Sequence, residues 1–134
     1  MAREVPIGTR GEVQHRVNSK HTLAEWRDGL PPMLSTQWMV LWLEEAALSA
    51  LLPFCEGDEI SVGVAVDIDH RAPTGIGQMV RAEAVVESFD GRFHTFKVSA
   101  HNGAEVIGQG TMKRAIVSTR KFEEKQRAKR AQNS

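Results

Sequence analysis

The segment WMVLWLEEAALSALL, residues 38–52, decides the fold of this chain. All of its 15 residues are apolar except three, which are Glu44, Glu45 and Ser49. A helix that is apolar on nearly every side must be covered by other parts of the protein. The segment is also shorter than the roughly 20 apolar residues that cross a bilayer, so we predict a buried helix and no membrane span.

The residues on either side set the ends of this helix. Ser35 or Thr36 supplies a side-chain oxygen that can cap the first free backbone N–H groups. Pro53 ends the helix because proline lacks the N–H that a further turn would need. The sequence therefore predicts a helix at Gln37–Leu52.

Strands are predicted on both sides of the helix. Residues 7–17 alternate weakly, with Val13, His15 and Val17 on one face, and predict a first strand. After the helix, Ile60–His70 carries an apolar residue at every second position and then a histidine, which predicts a strand with one apolar face. That face consists of Ile60, Val62, Val64, Val66, Ile68 and His70.

Three further strands follow in the sequence. Alternation predicts a strand at residues 76–88, another around Phe96, Val98 and Ala100, and a last one at residues 104–118. All three carry apolar side chains on one face. They can therefore cover the apolar helix together with the strand before them.

Two dipeptides predict the turns between these strands. Asp90-Gly91 and Asn102-Gly103 tolerate the positive φ that a type I′ turn requires, so the strands they join run antiparallel. The order of one strand, one long helix and four antiparallel strands indicates an α+β fold, in which a curved sheet wraps the helix. Because such a sheet has a free edge and one helix covers only one face, we predict a homodimer.

Composition limits the class of protein. The chain has 134 residues, of which 41% are hydrophobic and 25% charged, as in a single globular domain. Its 17 basic and 17 acidic residues cancel, so net charge does not indicate a nucleic-acid or membrane partner. One cysteine, Cys55, excludes an internal disulfide, and the first residues show no signal-peptide pattern, so we predict a cytoplasmic protein.

The charge is unevenly distributed along the chain. Residues 120–134 hold six Lys or Arg and two Glu, whereas residues 1–119 hold 11 basic and 15 acidic residues. Almost nothing apolar follows Phe122. We therefore predict a folded domain at residues 1–120 and a flexible basic tail at residues 121–134, as a solvated helix or a frayed end.

Glu44 is the most informative residue of the helix. The 100° rotation per residue places it beside Leu41, Leu48 and Leu51, whereas Glu45 is turned away from them. One of the two carboxylates is therefore expected to be buried. A buried carboxylate persists only with a partner or a chemical task. The alternative is a glutamate that is solvated at an interface.

His70 continues the apolar face of its strand, so its imidazole is expected to point toward the helix. A histidine can take or give a proton near neutral pH, and Glu44 could orient or charge it. The alternative is a hydrogen-bonded structural histidine at the end of a strand. The other histidines show no comparable placement; they are His15, His21, His94 and His101.

Thr36 stands at the predicted start of the helix. A hydroxyl at this place normally caps free backbone N–H groups. The same place gathers those N–H groups and the positive end of the helix dipole, which would stabilise a developing oxyanion. Capping and a catalytic role are compatible.

The motifs of several enzyme classes do not occur in the sequence. It contains no GxxxxGKS, no GxGxxG after a strand, no GxSxG and no HExxH. Nucleotide hydrolysis, hydride transfer, serine hydrolysis and zinc peptidase activity are therefore not indicated. The histidines also lack the spacing of metal ligands, and we predict no metal or redox cofactor.

Three stretches of the chain resemble a known family. They are STQWMVLWLEEAA at residues 35–47, SVGVAVDIDHRAPTGIG at 61–77 and SAHNGAEVIGQGTMKRAIV at 99–117. The chain resembles the hotdog-fold acyl-CoA thioesterases over about residues 5–122, and most closely the fluoroacetyl-CoA thioesterase type. The resemblance includes the helix acid, the strand-end histidine and the closing IGQGTMKR segment. The dimeric fold that it implies agrees with the order of elements predicted above.

The resemblance also implies a set of site residues. In that family a threonine, a glutamate and a histidine are catalytic, and the matching positions here are Thr36, Glu44 and His70. It further implies substrate-binding roles for Gly63, whose backbone would lie near the acyl group, and for Arg114. A structural ion pair is the alternative role for Arg114.

One departure from the family concerns the acyl group. Where the fluoroacetyl-specific enzyme carries lid phenylalanines before the helix, this chain has Arg27 and Leu30. We therefore do not carry the fluoroacetyl substrate over to this chain.

The implied function is an acyl-CoA thioesterase that hydrolyses a small or medium acyl group in a pocket between subunits. Glu44 would be the nucleophile or the base that activates water, and His70 the general acid and base. Thr36 would orient Glu44 or act as the nucleophile. The alternative from another class is a non-catalytic acyl-CoA-binding or sensing module. A hotdog dehydratase would need an Asp/His helix pattern that residues 37–47 lack.

Overall fold

The computed structural model describes residues 3–133. Its strands are β1 (Arg10–Arg16), β2 (Glu59–His70), β3 (Met79–Phe89), β4 (His94–His101) and β5 (Val106–Ser118). Its helices are α1 (Leu23–Trp26), α2 (Thr36–Leu51) and α3 (Thr119–Asn133), with 3-10 turns at Ser19–His21 and Leu52–Phe54. The strands form one curled antiparallel sheet in the order β1-β3-β4-β5-β2, and α2 packs on its inner face. The predicted α+β arrangement is confirmed.

Helix α2 starts and ends within one residue of the prediction. Ser35 is its N-cap, and the Ser35 Oγ accepts a hydrogen bond from the Trp38 N–H at 3.3 Å. Thr36 is therefore the first helical residue and not the cap. Its hydroxyl is left available for a partner outside the helix.

The core lies between α2 and the sheet. The buried residues of α2 are Met39, Trp42, Leu43, Ala46, Ala47, Ala50 and Leu51. The buried residues of β3 and β4 include the predicted apolar faces, which are Val80, Ala82, Ala84, Val86, Phe96, Val98 and Ala100. Small residues let the helix approach β1 closely. A side chain on Gly11 would collide with the Ala46 carbonyl oxygen, so only glycine fits there without a shift of the helix.

A β-bulge interrupts β2. The pairing of β2 with β5 shifts between Gly63 and Ala65, so Val64 has no partner residue in β5. Side chains alternate between the two faces of a strand, so one extra residue moves every later side chain to the opposite face. The bulge therefore decides which residues of β2 face the helix.

The predicted single apolar face of β2 is wrong for its first half. Beyond the bulge, the residues on the helix side are Val66, Ile68 and His70, as predicted. Ahead of the bulge, Ser61 and Gly63 lie on that side, because Gly63 pairs with the inward-facing Arg114. Ile60 and Val62 lie on the opposite side. The bulge is the physical reason for the error.

Both predicted hairpins are present, but their turns are not of type I′. That type needs positive φ at both central residues. Among residues 3–133 only glycines have positive φ, including Gly91 and Gly103. The Asp90 carboxylate instead accepts hydrogen bonds from the N–H groups two and three residues further on, at 3.0 and 2.8 Å. The Asn102 side chain likewise accepts hydrogen bonds from the N–H groups of Ala104 and Glu105, at 3.0 Å each.

Helix α3 continues directly from β5 and is exposed along most of its length. The Asp58 carboxylate holds its start, accepting hydrogen bonds from the Ser118 Oγ at 2.7 Å and the Arg120 N–H at 2.9 Å. The predicted basic tail at residues 121–134 falls largely in this helix, and its separation from the folded domain stays a prediction. None of the helices in the described part of the chain has the length and apolarity that a membrane span requires.

His94 is buried within the core, with 1% of its surface exposed. Its Nε2 accepts a hydrogen bond from the Val5 N–H at 2.8 Å, and its Nδ1 has no hydrogen-bond partner in residues 3–133. Burial lowers the pKa of His94 from its ordinary value of 6.5, and Glu4 and Asp90 offset part of this effect. The folded protein therefore favours a neutral His94.

We expect the free energy of unfolding to fall as the pH drops below about 6.5. Below that pH the unfolded chain binds a proton that the folded chain does not bind at His94, so acid favours unfolding. The melting temperature should be lower at pH of about 5 than at pH of about 7.5. In the His94→Gln variant an amide oxygen can still accept the bond from Val5, and the decline should be smaller. An equal decline in both proteins would contradict this assignment.

Candidate active site

Thr36 and His70 form one half of the candidate site. Thr36 begins α2 and His70 ends β2, and the Thr36 Oγ1 lies 2.8 Å from the His70 Nδ1. They meet because His70 lies beyond the bulge and so faces the helix. A hydroxyl that donates to a neutral imidazole orients the ring, and the ring in turn makes the hydroxyl a better nucleophile.

The surroundings of His70 favour a neutral imidazole. Burial lowers the pKa of His70 from its ordinary value of 6.5, and the backbone of Ala72 offsets part of this effect. The His70 Nε2 is buried and has no hydrogen-bond partner in the described chain. A buried polar atom without a partner is rare and marks a place where a ligand or water group belongs. The ring is therefore suited to exchange a proton there.

The second half of the site is a cavity of about 400 Å³ along α2. Its apolar lining consists of Trp38, Leu41, Trp42 and Leu48. Its polar and charged lining consists of His15, Glu44, Glu45 and Arg114. Glu44 is half-buried here. Its carboxylate thus borders an apolar space that a ligand can enter.

Arg114 lines this cavity and is only 6% exposed. Its guanidinium donates to the Oγ and to the carbonyl oxygen of Ser61, at 2.7 and 3.0 Å. The Arg114 Nη1 lies 3.4 Å from where a Cβ on Gly63 would be. Burial lowers the pKa of Arg114, and the nearby Glu44 raises it in part. Arg114 and Gly63 therefore lie close together near Glu44.

The two halves are separated within one protomer. Thr36 and Glu44 are eight residues apart in α2, which corresponds to about 12 Å along the helix axis. Thr36 and His70 do not line the cavity that holds Glu44. The structure thus joins Thr36 to His70 and groups Glu44 with Arg114 and Gly63, and it does not join these two groups in a single chain.

Neither glutamate of α2 is fully buried, which corrects the expectation from helix spacing. Glu44 is half-buried and Glu45 is exposed. The Glu45 Oε1 lies 2.7 Å from the His15 Nε2, and the His15 ring stacks on Trp42 with 4.9 Å between ring centroids. Sequence patterns do not reveal this pair, because the alternation of β1 does not show which helix residue a side chain will meet.

The segment before α2 holds the two positions that depart from the family pattern. Arg27 directly follows α1 and is exposed, whereas Leu30 is half-buried. An isolated antiparallel β-bridge pairs Thr22 with Leu34, so the two ends of this segment meet close to Thr36. The segment therefore borders the Thr36–His70 half of the site.

Known proteins are similar to this chain in sequence. Residues 17–120 match the family model described as fluoroacetyl-CoA-specific thioesterase. The fluoroacetyl-CoA thioesterase of Streptantibioticus cattleyicolor is 38% identical over 99 residues, which are 74% of this chain and 71% of that protein.

Solved structures share the fold. A mutant of the fluoroacetyl-CoA-specific thioesterase in complex with fluoroacetate and CoA matches with a TM-score of 0.80 at 31% identity, covering 88% of this chain and 99% of that one. A hypothetical protein of Thermus thermophilus, a thioesterase superfamily member, matches with a TM-score of 0.87 at 28% identity, covering 97% and 96%.

The long helix wrapped by a curled antiparallel sheet is therefore the hotdog fold, and the protein is a hotdog-fold thioester hydrolase. The chain belongs to the fluoroacetyl-CoA-specific thioesterase family. This membership confirms the resemblance that the three sequence stretches indicated. It supports acyl-CoA thioesterase activity and leaves the acyl group to be determined.

Proposed function

We propose that this protein hydrolyses a small or medium acyl-CoA thioester at a site that two protomers complete. The observation that carries the proposal is the half-buried carboxylate of Glu44 in an apolar cavity. The Thr36–His70 pair supplies the acid and base chemistry, and Gly63 and Arg114 bind the substrate.

The cavity beside Glu44 suits an acyl group. Its volume of about 400 Å³ lies near the lower end of the range for small-molecule sites, which is roughly 300–1,000 Å³. Two tryptophans and two leucines form its apolar walls. Each CH₂ group that leaves water for such walls contributes about 0.8 kcal/mol. A small or medium acyl chain therefore fits better than a charged or a long one.

We propose that β2 joins two protomers into a homodimer. It is an edge strand, and its outer edge pairs with no strand of the described chain. Three of its apolar residues, Ile60, Val64 and Val66, are exposed by 38%, 47% and 48%. A long apolar edge pairs readily with another strand. Two copies of β2 can satisfy each other about a two-fold axis.

Pairing of the two β2 strands would also join the two halves of the site. The strands would run antiparallel, and with the axis midway between residues 63 and 70 the partner's His70 would lie beside Gly63. The partner's Thr36 would lie there as well, because its hydroxyl is hydrogen-bonded to that histidine. Each of the two sites would then contain Glu44 from one protomer and the Thr36–His70 pair from the other.

The reaction needs an ionised carboxylate and a proton donor. Glu44 acts as the nucleophile on the thioester carbon or as the base that takes a proton from water. In either route the carbon–sulfur bond breaks, a water oxygen enters the carboxylic acid, and the CoA sulfur receives a proton through His70. Thr36 orients that imidazole. The negative charge that develops on the carbonyl oxygen is stabilised beside Gly63 and Arg114.

We place this reaction in the cytoplasm. Cys55 is the sole cysteine of the chain, so the fold uses no internal disulfide. The thiol is half-buried, and burial, with a further contribution from Glu59, raises its pKa. Such an unreactive thiol suits a reducing compartment.

The proposal is tested by measuring thiol release from acetyl-, fluoroacetyl-, short-chain, medium-chain, long-chain and aryl-CoA thioesters. We expect turnover of small or medium acyl groups and little turnover of long chains, because the cavity is small. The fluoroacetyl thioester tests whether a chain with Arg27 and Leu30 in place of the lid phenylalanines still hydrolyses the fluoroacetyl group. Tight binding of CoA thioesters without any thiol release would contradict the proposal and indicate a sensing module.

A further inference from the structure

We infer that Ser61 is a positioning residue, which holds the Arg114 guanidinium beside Gly63 in the lining of the cavity that contains Glu44. The inference rests on the proposed hydrolysis at this cavity. Ser61 does not itself touch the reacting atoms. It acts through the arginine, whose free nitrogen faces the place where the thioester carbonyl is bound.

The contacts fix the plane of the guanidinium. The Arg114 Nε donates to the Ser61 Oγ at 2.7 Å, and the Arg114 Nη2 donates to the Ser61 carbonyl oxygen at 3.0 Å. Both residues are buried, with 6% and 8% of their surfaces exposed. A guanidinium is planar and its donors have a rigid geometry, so two bonds to one residue set its orientation.

The third nitrogen of Arg114 remains available for the substrate. The Nη1 has no hydrogen bond to any residue of the described chain, and it lies 3.4 Å from where a Cβ on Gly63 would be. Glycine at this position leaves the space next to Nη1 open. The free N–H groups therefore point to a place that a substrate oxygen can occupy.

An arginine with a purely structural role would be expected to have a carboxylate partner. Buried guanidinium groups normally form an ion pair, because an uncompensated buried charge is costly. No carboxylate oxygen in residues 3–133 lies within 4.0 Å of the Arg114 nitrogens. The facing charge is Glu44, which lines the same cavity. Thioester hydrolysis places a developing oxyanion in such a site, where a fixed cationic donor stabilises it.

The bulge in β2 makes this arrangement possible. Gly63 is the direct partner of Arg114 in the pairing of β2 with β5, and Ser61 lies two residues earlier on the same face. In a regular strand the residues facing the helix beside His70 would have even numbers throughout, and Ser61 would face outward. The bulge lets one strand present His70 at one end and Ser61 with Gly63 at the other.

The test compares Ser61→Ala with Ser61→Thr. We expect Ser61→Ala to lower kcat about tenfold and to change KM less than about twofold, since the arginine acts on the transition state. Threonine keeps the hydroxyl and should restore most of kcat. The matched control is Ser118→Ala, which removes a strand serine that donates to Asp58 at 2.7 Å, and it should keep wild-type kinetics. The melting temperature of each variant checks that the fold is retained.

A second comparison shows whether Ser61 acts through Arg114. In an Arg114→Ala background, Ser61→Ala should lower kcat less than about twofold further, because the group it positions is already absent. A tenfold loss in both backgrounds, or wild-type kcat in Ser61→Ala, would overturn the inference. The proposed function fails separately, if the wild-type protein hydrolyses none of the CoA thioesters.

Discussion

The Glu44→Gln variant is expected to release CoA at least about 100-fold more slowly than the wild-type protein. Glutamine keeps the size of the side chain, but it cannot ionise, take a proton from water or form an acyl intermediate. Glu44 is half-buried and forms no ion pair within the described chain, so the substitution should change the melting temperature little. The measurement is kcat from thiol release at saturating substrate, with thermal unfolding as the check on folding.

Glu45→Gln is the matched control for this prediction. Glu45 is the next residue of the same helix, and it pairs with His15 at 2.7 Å in the exposed part of the cavity. Its substitution removes the same charge from nearly the same place. We expect kcat to fall less than about fivefold, as for an exposed ion pair. Equal losses in the two variants would assign the effect to the general charge of the helix and not to Glu44.

The second large effect is expected for His70→Ala, which should also lower kcat at least about 100-fold. Alanine removes the proton donor for the CoA sulfur and leaves the Thr36 hydroxyl without its partner at 2.8 Å. Because the substitution also removes a half-buried ring, thermal unfolding of the variant checks that the fold is retained. The same thiol-release assay measures the effect.

His101→Ala is the control for the His70 variant. His101 ends β4 and does not line the Glu44 cavity, and its Nε2 lies 3.5 Å from the Ser99 Oγ. We expect its substitution to leave kcat within about twofold of the wild-type value, as for surface changes away from a site. A His70→Ala variant that retained wild-type turnover would show that this imidazole has no part in the reaction.

The elements with local signals could be predicted from the sequence. The predicted helix agrees with α2 within one residue at each end, because Ser35 and Pro53 bound its apolar run. Asp90-Gly91 and Asn102-Gly103 mark short turns, and the two hairpins that they predict are present. The predicted turn type is wrong. The Asp90 and Asn102 side chains accept backbone hydrogen bonds that a type I′ turn does not need.

The bulge in β2 could not be predicted. Val64, the residue without a partner, is itself apolar, so the alternation from Ile60 to His70 looks unbroken in the sequence. A bulge is set by the pairing with the neighbouring strand, and β5 lies some 40 or more residues further along the chain. For this reason the sequence does not predict the position of Ser61 beside Arg114.

The candidate site was predicted in its parts but not in its assembly. Helix spacing indicated the apolar surroundings of Glu44, and strand alternation indicated that His70 faces the helix; both are observed. The expectation that Thr36 or His70 would meet Glu44 is not met within one protomer. The periodicity of a helix or a strand shows which side chains share a face, and it does not show which side chains of two protomers meet.

The account is tested most directly by mixing the two inactive variants. Glu44→Gln and His70→Ala chains with different affinity tags are expressed together, and the mixed dimer is purified through both tags. If each site takes Glu44 from one protomer and His70 from the other, one of the two sites in the mixed dimer keeps both residues. The activity of the mixed dimer should then reach about half that of the wild type. A mixed dimer no more active than either variant alone, or a wild-type protein that elutes as a monomer, would contradict the shared site.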